Sequence, residues 1–150
     1  MWEISEFYGG NFAQVLAEIC VQAKTAAAWS AENFQTETAQ KTSKIFIITE
    51  NQNNTKIVLG FCAVRFAFET AEITNFAILP QAQRKHLGTK LFTHTLNFLK
   101  ERGVKEVTLE VSSKNMPAQE FYKRFNFVCV STRKKFYNME EDAQVLKLNL

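Results

Sequence analysis

Residues 72–111 read EITNFAILPQAQRKHLGTKLFTHTLNFLKERGVKEVTLEV, and their order of elements decides the fold. Runs of apolar and β-branched residues predict strands over 72–79 and 104–111. The segment from Gly88 to Arg102 predicts a helix between them, because its apolar residues recur at helical spacing on one face. Two strands joined through a helical crossover lie parallel in one sheet. This unit therefore predicts an α/β protein.

The flanking segments add antiparallel strands and further helices. Helical spacing and an N-cap at Ser30 predict two helices before the unit, and asparagine-rich turn chemistry at 51–54 predicts a β-hairpin. The remaining predicted helices are Phe12–Lys24, a short one after Ser30 and Met116–Arg124, and the remaining predicted strands are Lys44–Glu50, Lys56–Phe68, Phe127–Phe136 and Gln144–Leu150. We predict a single α/β (α+β) domain over 1–150, with a mixed, mostly antiparallel sheet of six to seven strands flanked by about four helices.

Composition narrows the class of protein. The chain has 150 residues, of which 46% are hydrophobic and 22% charged, a balance typical of one globular domain. The longest uncharged apolar stretch, Ile57–Val64, is far shorter than the roughly 18 residues that a membrane span requires. The acidic N-terminus is not followed by the apolar segment of a secretory signal. We therefore expect a cytoplasmic protein that does not bind membranes.

Cysteine and histidine usage gives no indication of metal binding. Cys20, Cys62 and Cys129 are far apart and form no C-x-x-C pair, and the chain has two histidines. All three cysteines lie in apolar context, so we expect them in the core. The sequence predicts no metal site.

Charge is mildly basic and unevenly distributed. The net charge is +3, with one basic cluster at Arg84, Lys85 and Lys90 and another at 133–135. The second cluster is expected on a solvated strand edge. Since no stacking-aromatic RNA motif accompanies either cluster, we expect no specific nucleic-acid partner.

The connector Gln83–Lys90 carries the strongest functional signal. It lies between a strand and a helix, where backbone N–H groups at the helix start are unpaired and the helix dipole adds positive charge. Such a helix start binds phosphate groups. A solvated basic turn before a surface helix is the alternative.

The connector also resembles a known family signature. Gln83 and Gly88 match the first and last positions of Gln/Arg-x-x-Gly-x-Gly/Ala, the acetyl-CoA motif of the Gcn5-related N-acetyltransferases, or GNAT family. His86 stands where that motif has its middle glycine. The resemblance implies the GNAT fold, acetyl-CoA as co-substrate and an N-acetyltransferase activity.

Four other segments extend the resemblance along nearly the whole chain to one branch. That branch is the bacterial RimI type, whose members acetylate the N-terminal alanine of a small-subunit ribosomal protein. The similar segments are Trp29–Phe34, Ala71–Ile78, Leu109–Val111 with Asn115 and Tyr122, and Glu141–Ala143. Asn126 replaces a glycine of the family's Leu-Gly-Phe turn, and asparagine tolerates the left-handed conformation that such a turn needs.

The resemblance implies roles for individual residues. The third and fourth core strands of the family splay apart, and Phe76, Ala77 and Ile78 would offer backbone groups to the pantetheine arm and the thioester. The pyrophosphate would be held by the loop residues Arg84, Lys85, His86, Leu87, Gly88 and Thr89. Asn115 would contact the cofactor, and Trp29 and Tyr137 would lie near the acceptor peptide.

The resemblance further implies Glu110 as proton acceptor and Tyr122 as proton donor. These residue types suit the chemistry: a carboxylate can deprotonate an amine that attacks a thioester, and a phenol can protonate the leaving thiolate. The alternatives are a solvent-facing Glu110, a core Tyr122, an Asn115 that only caps the next helix and a Trp29 that belongs to the core.

Three functions remain open from the sequence. The first is acetyl transfer to the N-terminal amino group of a ribosomal protein by a monomer or weak dimer. The second is transfer to a lysine side chain or a small amine. The third is a non-catalytic module that binds coenzyme A or the ribosome.

Overall fold

The computed structural model describes residues 1–24, 27–137 and 141–150, and for 135–137 it describes the backbone alone. The helices are α1 (Phe12–Ala23), α2 (Ala31–Thr38), α3 (Leu87–Glu101) and α4 (Met116–Arg124), with one 3₁₀ turn at Pro80–Ala82. The strands are β1 (Trp2–Glu6), β2 (Ser43–Gln52), β3 (Thr55–Ala67), β4 (Thr70–Ile78), β5 (Glu106–Ser112), β6 (Val128–Tyr137) and β7 (Glu141–Asn149).

These strands form one sheet in the order β1-β2-β3-β4-β5-β7-β6. Only the β4–β5 pair is parallel among the described strands, as the crossover through α3 requires. The predicted mixed, mostly antiparallel sheet is confirmed. The β2–β3 hairpin is also confirmed, with Asn53 and Asn54 both at positive φ in its turn.

Two differences from the sequence prediction concern the ends of the chain. Strand β1 is not among the predicted strands, because its five residues alternate only weakly and its Glu3 and Glu6 favour a surface segment. Strand β7 begins at Glu141, three residues before the predicted start, so the Glu-Asp-Ala segment lies inside the strand.

The helices cover both faces of the sheet. On one face Phe34 of α2 packs edge-to-face on Phe61 of β3, with ring centroids 5.0 Å apart. On the other face Phe92 of α3 packs against Phe76 of β4, with centroids 5.3 Å apart. The face covered by α1 and α2 is called the acceptor face below. The face covered by α3 and α4 is called the α3/α4 face.

The prediction for the cysteines is correct at two positions and wrong at the third. Cys20 and Cys62 are buried, and burial raises the pKa of the Cys62 thiol to about 12, which leaves it inert. Cys129 is exposed, because it lies on the edge strand β6 rather than in the core.

Candidate active site

Strands β4 and β5 separate soon after they meet. Their ladder consists of three residue pairs, from Thr70↔Glu106 to Glu72↔Thr108. Beyond them β4 continues to Ile78 along β3, whereas β5 continues along β7. The two strands thus form a fork, and the splay that the resemblance implies is present in this chain.

The backbone of β4 directs polar groups into this fork. The Leu79 amide donates to the Leu59 carbonyl, 2.8 Å away, so Leu79 and Ala77 use their backbone groups toward β3. Alternation along the strand then points the amides of Phe76 and Ile78 toward the fork. The Ile78 carbonyl accepts a hydrogen bond from Gln83 Nε2 at 3.1 Å, which fixes the following loop against the strand end.

The loop after β4 leads into an open helix N-terminus. His86 is the N-cap of α3 and makes no side-chain capping bond. The Lys90 amide donates to the His86 carbonyl as the first helical bond, 3.1 Å long. The amides of Leu87, Gly88 and Thr89 precede that bond and have no carbonyl within the helix to bind. Exposed Arg84 and Lys85 add positive charge beside them.

Gly88 shows how closely this helix start approaches the fork. A Cβ atom at Gly88 would lie 3.5 Å from both Ile78 and Phe76 and 3.6 Å from Phe121. An alanine fits these contacts, whereas a larger side chain would fill the space between α3, α4 and β4. The phosphate-binding geometry predicted from the connector therefore sits directly against the open edge of β4.

Several predicted cofactor residues offer only their backbone. The side chains of Leu87, Ala77 and Ile78 are buried in the core. The carboxamide Oδ1 of Asn115 accepts a hydrogen bond from the Ala118 amide at 3.2 Å and caps α4. That cap also orders the start of the helix that bears Tyr122.

Glu110 lies on β5 and faces the acceptor face. The side chains of Leu109 and Val111 are buried on the opposite side of this strand. One carboxylate oxygen of Glu110 accepts a hydrogen bond from Arg133 Nη1 at 2.5 Å. Glu110 is therefore a partly covered carboxylate with a specific partner, and not a freely solvated one.

Glu72 is a second carboxylate on the same face. Its strand position pairs with Thr108, two residues before Glu110. Partial burial and then the nearby Glu110 charge raise the pKa of Glu72, while Arg65 and Arg133 act in the opposite direction. Glu72 could not be singled out from the sequence, because its proximity to Glu110 depends on the parallel register of β4 and β5.

Tyr122 of α4 lies on the α3/α4 face. Its ring is buried beside Phe92, Phe121 and Phe127, with centroid distances of 5.6, 5.4 and 5.9 Å. Glu110 and Tyr122 consequently lie on opposite faces of the sheet.

The two predicted acceptor-binding residues, Trp29 and Tyr137, differ in what the structure describes of them. Trp29 packs edge-to-face on Phe34 and belongs partly to the core, with centroids 5.2 Å apart. The loop that carries Trp29 is held to β4, because Asn75 Nδ2 donates to the Ala27 carbonyl at 2.9 Å. The backbone of Tyr137 pairs with Glu141, and its side chain lies outside the described residues.

Two kinds of feature are absent from the described part of the chain. No cluster of three histidine, cysteine, aspartate or glutamate side chains with metal-binding geometry occurs in residues 1–24, 27–137 and 141–150. None of the helices in those ranges combines the length and the apolar character needed to cross a membrane.

Comparison with known proteins assigns this arrangement to a family. The model of the acetyltransferase (GNAT) family matches residues 13–127, which include the fork, the loop and α3. The chain belongs to the GNAT acetyltransferase family. The GNAT assignment confirms the resemblance found in the sequence.

Relatives within the GNAT family carry one recurring name. A Bacillus subtilis (strain 168) protein, provisionally named a ribosomal protein bS18-alanine N-acetyltransferase, is 29% identical over 119 residues, covering 79% of this chain and 77% of its own. The Escherichia coli (strain K12) ribosomal protein bS18-alanine N-acetyltransferase is 28% identical over 123 residues, 80% of each chain.

Solved GNAT structures agree with the fold. The Escherichia coli ribosomal-protein-S18-alanine N-acetyltransferase superposes with a TM-score of 0.81 at 25% identity, covering 99% of this chain and 94% of its own. Arabidopsis thaliana NAA60 in complex with acetyl-CoA gives 0.85 at 15% identity over 100% and 99% of the two chains. At that identity the second likeness concerns the fold alone.

Proposed function

We propose that this chain transfers the acetyl group of acetyl-CoA to the N-terminal amino group of a peptide that begins with alanine. The proposed physiological acceptor is the small-subunit ribosomal protein bS18. The observation that carries the proposal is the fork, which has unpaired backbone amides along one edge and the Glu110 carboxylate beside it on the acceptor face. The names of the relatives support the choice of acceptor.

The diphosphate of coenzyme A fits the N-terminus of α3. Three helical amides, the dipole of a 15-residue helix and the side chains of Arg84 and Lys85 all favour an anion there. Gly88 leaves room between this helix and β4, so the pantetheine arm can run from the loop into the fork. Arg84 to Thr89 and Asn115 are the proposed cofactor contacts, with Phe76 to Ile78 along the arm.

The acceptor amine would enter from the acceptor face. An α-amino group titrates at about pH 8, so much of it is protonated at neutral pH and must lose a proton before it attacks. Glu110 is the proposed proton acceptor, directly or through one water molecule. Trp29 and Tyr137 are the proposed contacts of the peptide.

The transfer itself forms one bond and breaks one. The amine nitrogen bonds to the thioester carbon, and the carbon–sulfur bond then breaks to release the thiolate. A backbone amide that points into the fork, at Ile78 or Phe76, can stabilise the oxyanion formed between these steps. Tyr122 is the proposed donor of the proton that the thiolate takes up.

One chain supplies all of these groups, so the proposed mechanism needs no second copy, and we expect a monomer or weak dimer. A ribosomal protein as the acceptor supports a cytoplasmic location for the proposed activity. No part of the proposed mechanism requires a metal ion, a membrane or a nucleic acid.

The test is acetyl transfer to defined peptides, followed by mass spectrometry. We expect acetylation of a peptide with the N-terminal sequence of bS18, and none of the same peptide with a blocked N-terminus and an internal lysine. The Glu110→Gln variant should lose activity while it still binds coenzyme A in calorimetry. Glu106→Gln is the matched control, because Glu106 lies on the same strand and pairs with Lys147 instead.

Each contrary result identifies the part that is wrong. Coenzyme A binding without transfer to any alanine peptide would reject the acceptor, and preferred acetylation of lysine or a polyamine would select the second function. Full activity in Glu110→Gln would reject the base. A wild-type chain with no measurable affinity for coenzyme A would reject the proposed cofactor-binding loop.

A further inference from the structure

The guanidinium of Arg133 reaches Glu110 across an intervening strand. Arg133 lies on β6 and Glu110 on β5, and β7 runs between them in the sheet. Their side chains nevertheless meet at 2.5 Å on the acceptor face. The backbones of Arg133 and Glu110 lie two strand spacings apart, which is farther than in a direct cross-strand pair. The arginine side chain therefore has to extend over β7 to reach the carboxylate.

The β7 residue that pairs with Arg133 is small, and Val145 is the β7 residue that pairs with Glu110. Ala143 of β7 pairs with Ser112 on one side and with Arg133 on the other, and it is fully buried. An alanine side chain leaves a shallow surface on which the arginine can lie, whereas a longer side chain would block the crossing. Its neighbours brace this part of the strand, since Ser112 Oγ donates to Glu141 and the Ser113 amide donates to the Asp142 carbonyl at 2.9 Å.

A second carboxylate lies on the other side of Glu110. It belongs to Glu72 on β4, which is on the same face, and the Glu110 charge helps to raise the pKa of Glu72. Another cation of this face, Arg65 of β3, is held by both carboxylate oxygens of Glu37 at 2.7 Å. Lys147 of β7 faces the same side and pairs with Glu106 at 3.3 Å. Arg133 is therefore the cation that contacts Glu110 itself.

We propose that Arg133 is a positioning residue for the base Glu110, holding its carboxylate aimed at the fork through their direct contact. This inference rests on the proposed function, because it takes Glu110 as the proton acceptor. It also assigns a role to the Glu-Asp-Ala segment, because its Ala143 is the small β7 residue beside Arg133 that lets the arginine side chain pass over β7.

Two consequences distinguish positioning from a purely structural role. Removing Arg133 leaves the base misaligned but touches no cofactor contact, so the loss appears in kcat and not in the KM for acetyl-CoA. Removing the neighbouring Glu72 carboxylate as well should restore part of the kcat, because repulsion from Glu72 no longer displaces the Glu110 side chain. A loss of folding would give neither effect.

The experiment compares Arg133→Gln, Arg133→Lys and Arg133→Gln combined with Glu72→Gln, each with the alanine peptide. We expect roughly tenfold lower kcat/KM for Arg133→Gln at pH 7, an unchanged KM for acetyl-CoA, and partial recovery in Arg133→Lys. Lys134→Gln is the control, because Lys134 is the next residue on β6 and pairs with Asp142 at 3.6 Å.

A second measurement works without any substrate. The carboxyl carbon signal of Glu110 in ¹³C NMR, assigned by its loss in Glu110→Gln, should change its chemical shift in Arg133→Gln at constant pH, because the contact with the guanidinium is lost. An unmoved signal together with an unchanged kcat would overturn the inference. So would an equal effect of Lys134→Gln. If the wild type acetylates no peptide but the signal moves, the proposed function fails and the Arg133–Glu110 coupling stands.

Discussion

Gly60 of β3 lies directly against Ala77 of β4, at the point where β4 forms the edge of the fork. A Cβ atom on residue 60 would come within 2.7 Å of the Ala77 carbonyl oxygen and 2.4 Å of Ile78 Cδ1. The glycine therefore lets β4 pack closely on β3 while its other edge faces the fork. The position of the proposed oxyanion donors thus depends on a residue in the neighbouring strand.

The Gly60→Ala variant should lose stability and cofactor affinity together. The backbone oxygen of Ala77 cannot move away as a side chain can, so the added methyl group displaces β4 toward the fork. We expect a loss of about 2 kcal/mol in the free energy of unfolding, measured in urea, and weaker coenzyme A binding in calorimetry. Gly88→Ala is the control for stability, since its Cβ would make ordinary contacts of 3.5 Å. Unchanged affinity in a folded Gly60→Ala protein would contradict this account.

His86 occupies a left-handed backbone conformation at the cofactor loop. Its φ of 62° falls where a residue with a side chain is strained by about 1–2 kcal/mol, although histidine visits this region more than most. We expect His86→Gly to be at least as stable as the wild type in thermal unfolding and to bind coenzyme A as tightly or more tightly. The gain is limited, because glycine also makes the unfolded chain more flexible.

Weaker coenzyme A binding in His86→Gly would contradict that expectation and would show that the imidazole itself contacts the phosphates. His86→Asn separates the two cases, because asparagine tolerates the same backbone conformation without an imidazole ring. Equal affinity of the glycine and asparagine variants would confirm that the loop acts through its backbone.

Capping and turn residues in the sequence correctly predicted the helix and the turn that they begin or form. Helix α4 begins and ends where predicted, because Asn115 caps it and a proline follows in its first turn. Asn126 adopts the left-handed conformation expected of it, with φ at 72°. Strand β1 escaped prediction because its stability comes from pairing with β2, a partner about 40 residues away in the chain.

Contacts between side chains on different strands could not be predicted from the sequence, because they too depend on partners that are distant in the chain. Arg133 was expected on a solvated edge, and β6 is an edge strand, but the ion pair with Glu110 joins residues 23 positions apart across β7. Glu72 meets Glu110 only through the three-pair parallel register of β4 and β5. The family resemblance identified Glu110 but gave no indication of either neighbour.

Glu37 makes the stability of the acceptor face sensitive to acid. Its buried carboxylate accepts hydrogen bonds from Arg65 and Ser43. The Arg65 hydrogen bond in particular holds its pKa below the ordinary value of 4.5. Since the folded protein favours the ionised form, this contribution is complete above that value and is lost as the pH falls through the folded pKa.

We therefore expect Glu37→Gln to lower the free energy of unfolding by about 2 kcal/mol at pH 7. The difference from the wild type should shrink toward pH 3, in urea titrations at a series of pH values. Glu120→Gln, at an exposed site on α4, should show no such dependence. A difference that stays constant down to pH 3 would mean that the ionised Glu37 does not contribute.

Tyr122 allows the proposed acid to be tested apart from the packing of its ring. Its ring contacts Phe92 and Phe121, and those contacts are retained when only the hydroxyl group is removed. We expect Tyr122→Phe to lower kcat by about 100-fold in peptide acetylation, because the leaving thiolate loses its proton donor, with coenzyme A affinity unchanged. Tyr8→Phe is the matched control, since Tyr8 is exposed. A Tyr122→Phe enzyme with the wild-type kcat would leave water as the donor and Tyr122 as a core residue.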